Sequence, residues 1–225
     1  VRPHRVAAYW APQPEEALHR AGSSWLGRDA ATGTPVPQPP LEGIAAVTPD
    51  AARYGFHATL KPPMRLISGA TFADVLAAAR AAAQRVAPFD LPPLHVADLH
   101  GFLALRETEP CPPLHALADA CVAGLDACRA PPEPEELARR RRAQLRPAQA
   151  AMLARWGYPY VFGTWYFHMT LTCRLESLPR AHWHAAAAAH FAEALAEPVR
   201  VRAIALFVQA EPDGDFVIAE RIPLG

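Results

Sequence analysis

Two five-residue segments of the chain carry the same residues able to do acid–base chemistry: Phe56-His57-Ala58-Thr59-Leu60 and Phe167-His168-Met169-Thr170-Leu171, at an offset of 111 residues. In extended backbone, positions i and i+2 share a face. His57 and Thr59 therefore point one way and His168 and Thr170 do the same, while the flanking Phe and Leu residues point into a core. Imidazoles titrate near ~6.5, so one can deprotonate an attacking water while the other protonates a departing alkoxide. The threonine hydroxyls can donate to the non-bridging oxygens of a phosphodiester as charge develops there.

Strand alternation extends each polar face. Lys61 falls beside His57 and Thr59, where it would add positive charge; Tyr166 and Thr172 fall beside His168 and Thr170. Tyr54 and Tyr166 are candidates to stack on a base or sugar, Tyr54 only if the chain bends at Gly55. A single His-x-Thr on a strand reads best as a hydrogen-bonded structural histidine. Recurrence in register turns that reading toward function.

The elements around the motifs repeat as well. After the first come a helix over 71–86 and extended segments over 94–99 and 102–106. After the second, an extended stretch over 161–175 leads to a helix over 179–196 and strands over 200–209 and 216–222, the last two joined at Asp213-Gly214. Ahead of the first motif lie a strand over 5–10, a helix over 14–26 and a Gly/Pro/Thr-rich loop over 30–49 of the length that serves as a lid. Between the halves, 112–129 and 135–155 read as helices. The run Arg139–Arg142 in the second of these reads as a solvated face, with an acidic ligand as the alternative. The fold class is α+β: a two-lobed, pseudo-symmetric duplication of a strand-helix-strand-strand unit. It forms one domain over 1–225, with the first repeat at 50–110, connecting helices at 111–160, the second repeat at 161–225, and 1–49 completing the lobes.

Composition bounds the function. With 225 residues, 51% hydrophobic, the chain can bury a sizeable core. Twenty-two Lys and Arg offset 22 Asp and Glu, so no overall field recruits nucleic acid or a membrane, and any anion must be held locally. With no apolar run of membrane-spanning length and no apolar signal core near the N-terminus, the expected setting is cytoplasmic. Cys121 and Cys128 read as packing residues. His182-Trp183-His184 lacks the spacing of a helical metal site, and phosphate-loop, nucleophile-elbow and dinucleotide motifs are missing. No metal and no cofactor are called for.

The paired motifs resemble those of the two-histidine phosphoesterase superfamily. The longer stretch Arg53-Tyr54-Gly55-Phe56-His57-Ala58-Thr59-Leu60-Lys61-Pro62-Pro63 resembles most a branch associated with phosphonate-utilisation genes. The resemblance implies antiparallel sheets facing a central cleft with helices outside, and both motifs lining that cleft without a metal. His57 and His168 would then be the acid/base pair, and Thr59 and Thr170 the phosphate holders. It also implies hydrolysis of a small cyclic phosphodiester, such as a ribose cyclic phosphate, so that the partner is a small phosphorylated metabolite or a cyclic nucleotide. RNA 2′,3′-cyclic phosphodiesterase or 2′–5′ ligase activity is the less favoured alternative, since the chain shows no clear basic or aromatic element for RNA. A binding module that senses such a metabolite is the other. The sequence leaves open the substrate, which histidine is the base, and the oligomeric state.

Overall fold

The computed structural model describes residues 3–141 and 144–225. Its centre is a seven-stranded antiparallel sheet made of β1 (Arg5–Trp10), β2 (Ala58–Met64), β3 (Leu94–Leu99), β4 (Phe102–Glu107), β5 (Met169–Thr170), β6 (Ala203–Gln209) and β7 (Phe216–Pro223). The spatial order is β7-β6-β1-β2-β5-β4-β3. The helices are α1 (Ala17–Leu26), α2 (Pro49–Tyr54), α3 (Phe72–Ala83), α4 (Pro112–Leu125), α5 (Pro134–Arg141), α6 (Pro147–Trp156) and α7 (Ser177–Ala196). No helix among the described residues is long and apolar enough to cross a membrane.

The α+β class and the repeated strand-helix-strand-strand unit are present as β2-α3-β3-β4 and β5-α7-β6-β7. The structure adds an exchange between them. Motif strand β2 is flanked by β1 and, beyond it, by the β6–β7 hairpin of the second repeat; motif strand β5 is flanked by the β3–β4 hairpin of the first. The two halves are thus one continuous sheet, and it is the motif strands themselves that join.

Local sequence explains the elements. Thr71 caps α3 by accepting from the Asp74 amide, and the Asp74 carboxylate accepts from the Thr71 amide in return. On α4, Leu114, Leu117, Ala118, Cys121, Val122 and Leu125 form the 3.6-residue apolar stripe and are all buried. One continuous core fills the space between one sheet face and the helices, with Val6, Ala8, Trp10, Ala58, Leu60 and Met169 pointing into it. A smaller cluster around Tyr9, Phe207 and Phe216 lies on the opposite face.

Three expectations about elements are corrected. The helix over 135–155 is two helices, since Pro147 starts a new one and disfavours helical backbone before itself. The strand over 161–175 shrinks to Met169–Thr170, preceded by a 3₁₀ turn at Phe162–Thr164. The loop over 30–49 holds a short strand at Thr34–Pro35, paired with Arg28–Asp29, and a helical turn at Ile44–Val47. Of the Arg139–Arg142 run, Arg142 lies outside the described residues.

Candidate active site

The two motifs meet at the middle of the sheet. Ala58 pairs with Met169 in an antiparallel register, and both side chains are fully buried on the helix side. Alternation then sends the residues on either side of each to the other face, with His57 across from Thr170 and Thr59 across from His168. Opposed side chains in such a pair stand about 5 Å apart at Cβ. Four residues from two sequence-distant motifs thereby form a square of two imidazoles and two hydroxyls on one face.

Each imidazole is oriented in the same way. His57 Nδ1 lies 2.8 Å from the Gly55 carbonyl and His168 Nδ1 lies 3.3 Å from the Tyr166 carbonyl. With Nδ1–H donating to a carbonyl two residues back, Nε2 is left as the nitrogen that exchanges protons. His57 Nε2 is 3.2 Å from Thr59 Oγ1, so the threonine hydroxyl can donate to that nitrogen. The bend that makes this possible is at Gly55, with φ 78° and ψ 171°. A Cβ there would both be strained and come within 2.5 Å of the Ala30 Cβ.

Ring stacking fixes the imidazole planes. Tyr9 of β1 stacks on His57 at 3.7 Å and 17°, and Tyr166 stacks on His168 at 5.0 Å and 29°. Two indole N–H groups tie down the motif strands, Trp165 donating to the Thr59 carbonyl at 2.8 Å and Trp25 to the Leu171 carbonyl at 3.0 Å. Burial pushes His57 down to about 4; the Gly55 carbonyl opposes that shift and the neighbouring His168 reinforces it. Burial likewise lowers His168, opposed by the Tyr166 carbonyl and assisted by Arg106. Both imidazoles are therefore neutral near pH 7 until an anion arrives, and a bound phosphodiester raises their proton affinity.

Beside the square lies a cleft of about 370 Å³, a size suited to a small metabolite, whose walls include Tyr54, His57, Thr59 and Thr170 but neither His168 nor Tyr166. Tyr54 thus reaches the cleft through the Gly55 bend, and its ring stacks on Phe216. Asp50, just after the 30–49 loop, lines the cleft, whereas no residue of 30–49 is among the described lining.

Two candidate residues stand elsewhere. Lys61 is 1% exposed and points to the helix side, where Nζ donates to the Val122 carbonyl (3.1 Å) and pairs with Asp126 (3.0 Å). The reason is a β-bulge: Tyr9 pairs with Thr59, but Ala8 pairs with Lys61, so β2 has one residue too many at Leu60 and alternation breaks. The prolines that follow, Pro62 and Pro63, cannot donate to a sheet, and they fit here because β5 has already ended. Thr172 is also buried, its Oγ1 accepting from the Leu103 amide at 3.0 Å. Both the Leu171 and Thr172 amides donate to the single Leu103 carbonyl, which ends regular alternation after Thr170. Neither Lys61 nor Thr172 is placed to touch a substrate. Conversely, Tyr9, Arg5, Tyr158 and Arg140 line the cleft without having been singled out in sequence; Arg140 alone carried a hint, in its arginine run.

Comparison with known proteins adds the following. The family model described as protein of unknown function (DUF1045) matches residues 59–217. Two curated relatives are named ribose 1,5-bisphosphate phosphokinase PhnN. One, from Janthinobacterium sp. (strain Marseille), is 42% identical over 97% of this chain and 50% of its own length. The other, from Laribacter hongkongensis (strain HLHK9), is 42% identical over 97% of this chain and 51% of its own length. The chain spans about half the length of these relatives. Among solved structures, a phosphoesterase matches with a TM-score of 0.47 at 13% identity, covering 99% of both chains. Escherichia coli LigT complexed with NADP+ matches with a TM-score of 0.48 at 14% identity, covering 100% of this chain and 99% of that one.

Proposed function

The chain belongs to the family described as protein of unknown function (DUF1045), and from that premise we propose that it is a metal-independent phosphoesterase that opens a small cyclic phosphodiester. The observation that carries the reading is the register at Ala58 and Met169, which gathers both His-x-Thr pairs on one face of the sheet, beside a cleft of metabolite size that His57, Thr59 and Thr170 line.

The chemistry follows from the square. A phosphodiester monoanion seated between the hydroxyls draws hydrogen bonds from Thr59 and Thr170 to its non-bridging oxygens. One imidazole, neutral at Nε2, takes a proton from the attacking water as the new P–O bond forms. The other, protonated under the influence of the bound anion, gives its proton to the ring oxygen as the old P–O bond breaks. The product is a phosphate monoester with a free hydroxyl, and the protons balance when the two histidines exchange their excess with solvent.

A ribose cyclic phosphate is the substrate class we favour. The motif resemblance to a phosphonate-associated branch supports it, as do the names of the half-matching relatives, which identify a phosphorylated ribose as what those longer proteins act on. The deciding experiment is a screen of ribose 1,2-cyclic phosphate and 2′,3′-cyclic nucleotides, with His168→Ala as the blank and EDTA in a parallel arm. Turnover that survives EDTA and vanishes in the variant is the expected result. Loss with EDTA and recovery with added divalent metal would overturn the two-imidazole mechanism. No turnover, with binding intact, would leave a sensor of the same ligand.

A further inference from the structure

The cleft has a second end that the two-histidine chemistry does not use. Besides the motif residues its lining includes Arg5, Arg140 and Tyr158, with Asp50 the one carboxylate in that lining. It continues past Arg5, Pro62, Pro63 and Arg140 into an adjoining hollow of about 250 Å³. The guanidinium of Arg5 is held by neutral groups: Nε donates to Gln209 Oε1 at 2.6 Å, and the cation sits 5.3 Å from the Phe216 ring centre. No ion pair of Arg5 occurs among the described residues, so its charge is not cancelled.

Arg140 is fixed rather than free. It lies 4.6 Å from the centre of the Tyr158 ring and pairs with Glu136 one helical turn back at 2.6 Å. In the adjoining hollow, Glu133 pairs with Arg65 and Arg129 pairs with Asp126. The hollow's lining thus sets four arginines, Arg5, Arg65, Arg129 and Arg140, against two glutamates, Glu133 and Glu136, and the outer end keeps an excess of positive charge to which Arg5 contributes without an ion pair of its own. Arg5, held at Nε by a neutral acceptor, and Arg140, held at Nε and one terminal nitrogen by Glu136, each keep further N–H donors in a fixed plane, the arrangement suited to phosphate oxygens.

We propose that Arg5 and Arg140 form a second phosphate site, so that the substrate is a cyclic phosphodiester carrying an additional terminal phosphate. This rests on the phosphoesterase reading of the motif end and assigns its specificity to the other end. The sugar spans the cleft, its cyclic phosphate on the threonines and its terminal phosphate on the arginines.

The test separates this site from the hydrolytic reading by using ligands that need no turnover. Ribose 1,5-bisphosphate and ribose 1-phosphate are titrated by calorimetry into the wild-type chain and into Arg5→Gln and Arg140→Gln. The wild type should bind the bisphosphate at least about tenfold more tightly. Each variant should lose roughly 10-fold of that advantage, the range of a charge-assisted hydrogen bond, and leave ribose 1-phosphate unchanged. Arg5→Lys, which keeps the charge, should retain part of the advantage, and unaltered melting temperatures show that the variants fold. Equal affinity for the two ligands, or variants that weaken both alike, would overturn the second site even if cyclic phosphodiesters are hydrolysed. An oligonucleotide with a 2′,3′-cyclic end that outbinds the bisphosphate and depends on the same two arginines would overturn the metabolite assignment in favour of a polynucleotide. Failure of the hydrolytic reading shows up separately, as absence of turnover with the bisphosphate preference intact.

Discussion

The two His-x-Thr motifs have the same residues and the same carbonyl partner two positions back, yet they are supported in different ways. His57 immediately precedes a seven-residue strand paired along much of its length to β1, and its stacking partner Tyr9 comes from that neighbour. His168 precedes a strand of only two residues, and its stacking partner Tyr166 is two positions away in its own segment. One histidine is held by long-range sheet structure and the other by its local chain. Equivalent side-chain geometry is therefore reached through unequal architecture, and the two motifs should respond alike to loss of the imidazole but differently to structural damage.

The largest effect expected is the one that treats them as equals. His57→Ala and His168→Ala should each lower kcat by roughly 10²–10⁴-fold, the usual contribution of a general acid or base, with a much smaller change in KM. Steady-state kinetics on a cyclic phosphodiester measure this, and a variant that keeps full turnover would remove its histidine from the mechanism. The contrast appears next. Tyr9→Ala empties a fully buried ring site and should cost about 3–5 kcal/mol of stability, whereas Tyr166→Ala, at a half-exposed ring, should cost clearly less. Urea titrations of both variants decide this, and equal losses would erase the architectural distinction.

A smaller loss is expected at Thr172. Replacing it with Val strands the buried Leu103 amide and should cost about 1–3 kcal/mol. Thr170→Val should instead leave stability nearly unchanged and reduce kcat. A Thr172→Val variant with altered KM and native stability would return that residue to the substrate. The subtlest effect lies in pH. Both imidazoles are lowered from their usual value by burial, His57 to about 4. The bell-shaped profile of kcat/KM, which reports the free protein, should have both limbs below pH ~6.5, whichever histidine is the base. The same shift has a stability sign. The unfolded His57 binds a proton below its reference value while the folded one does not, so stability falls as pH drops from ~6.5 toward 4. A kcat/KM optimum above pH 7 would contradict the buried, neutral pair.

Much of this was written in local patterns. The repeated strand-helix-strand-strand order follows from periodicities that span a few residues, and the sharing of a face by His57 with Thr59 follows from strand geometry alone. What was not legible depended on partners far away in sequence. Lys61 leaves the polar face because of a bulge that exists only against β1, and Thr172 does so because two amides converge on the Leu103 carbonyl. Tyr9 gives no sign of its role until its pairing with Thr59 is known. Arg140 looked like part of a solvated run because its helix has no strong apolar stripe to show which side faces the cleft. The exchange of hairpins was hidden for the same reason, since the choice of neighbouring strand is made by tertiary packing rather than by the strand's own residues.

That exchange has a consequence for synthesis. Strand β1 is bonded on one side to β6, Arg5 lying opposite Gln209. The first motif strand therefore cannot complete its half of the sheet until residues well over a hundred positions later have been made. Until residues 203–209 have cleared the ribosome, β1 and β2 are a ribbon with an open edge, and the β3–β4 hairpin waits for a partner that is also made late. Long sequence separations of this kind slow folding and expose strand edges. The pairing of the two motifs is thus available only once both repeats have been made, and a ribosome that stops before residue 203 leaves neither half of the sheet complete.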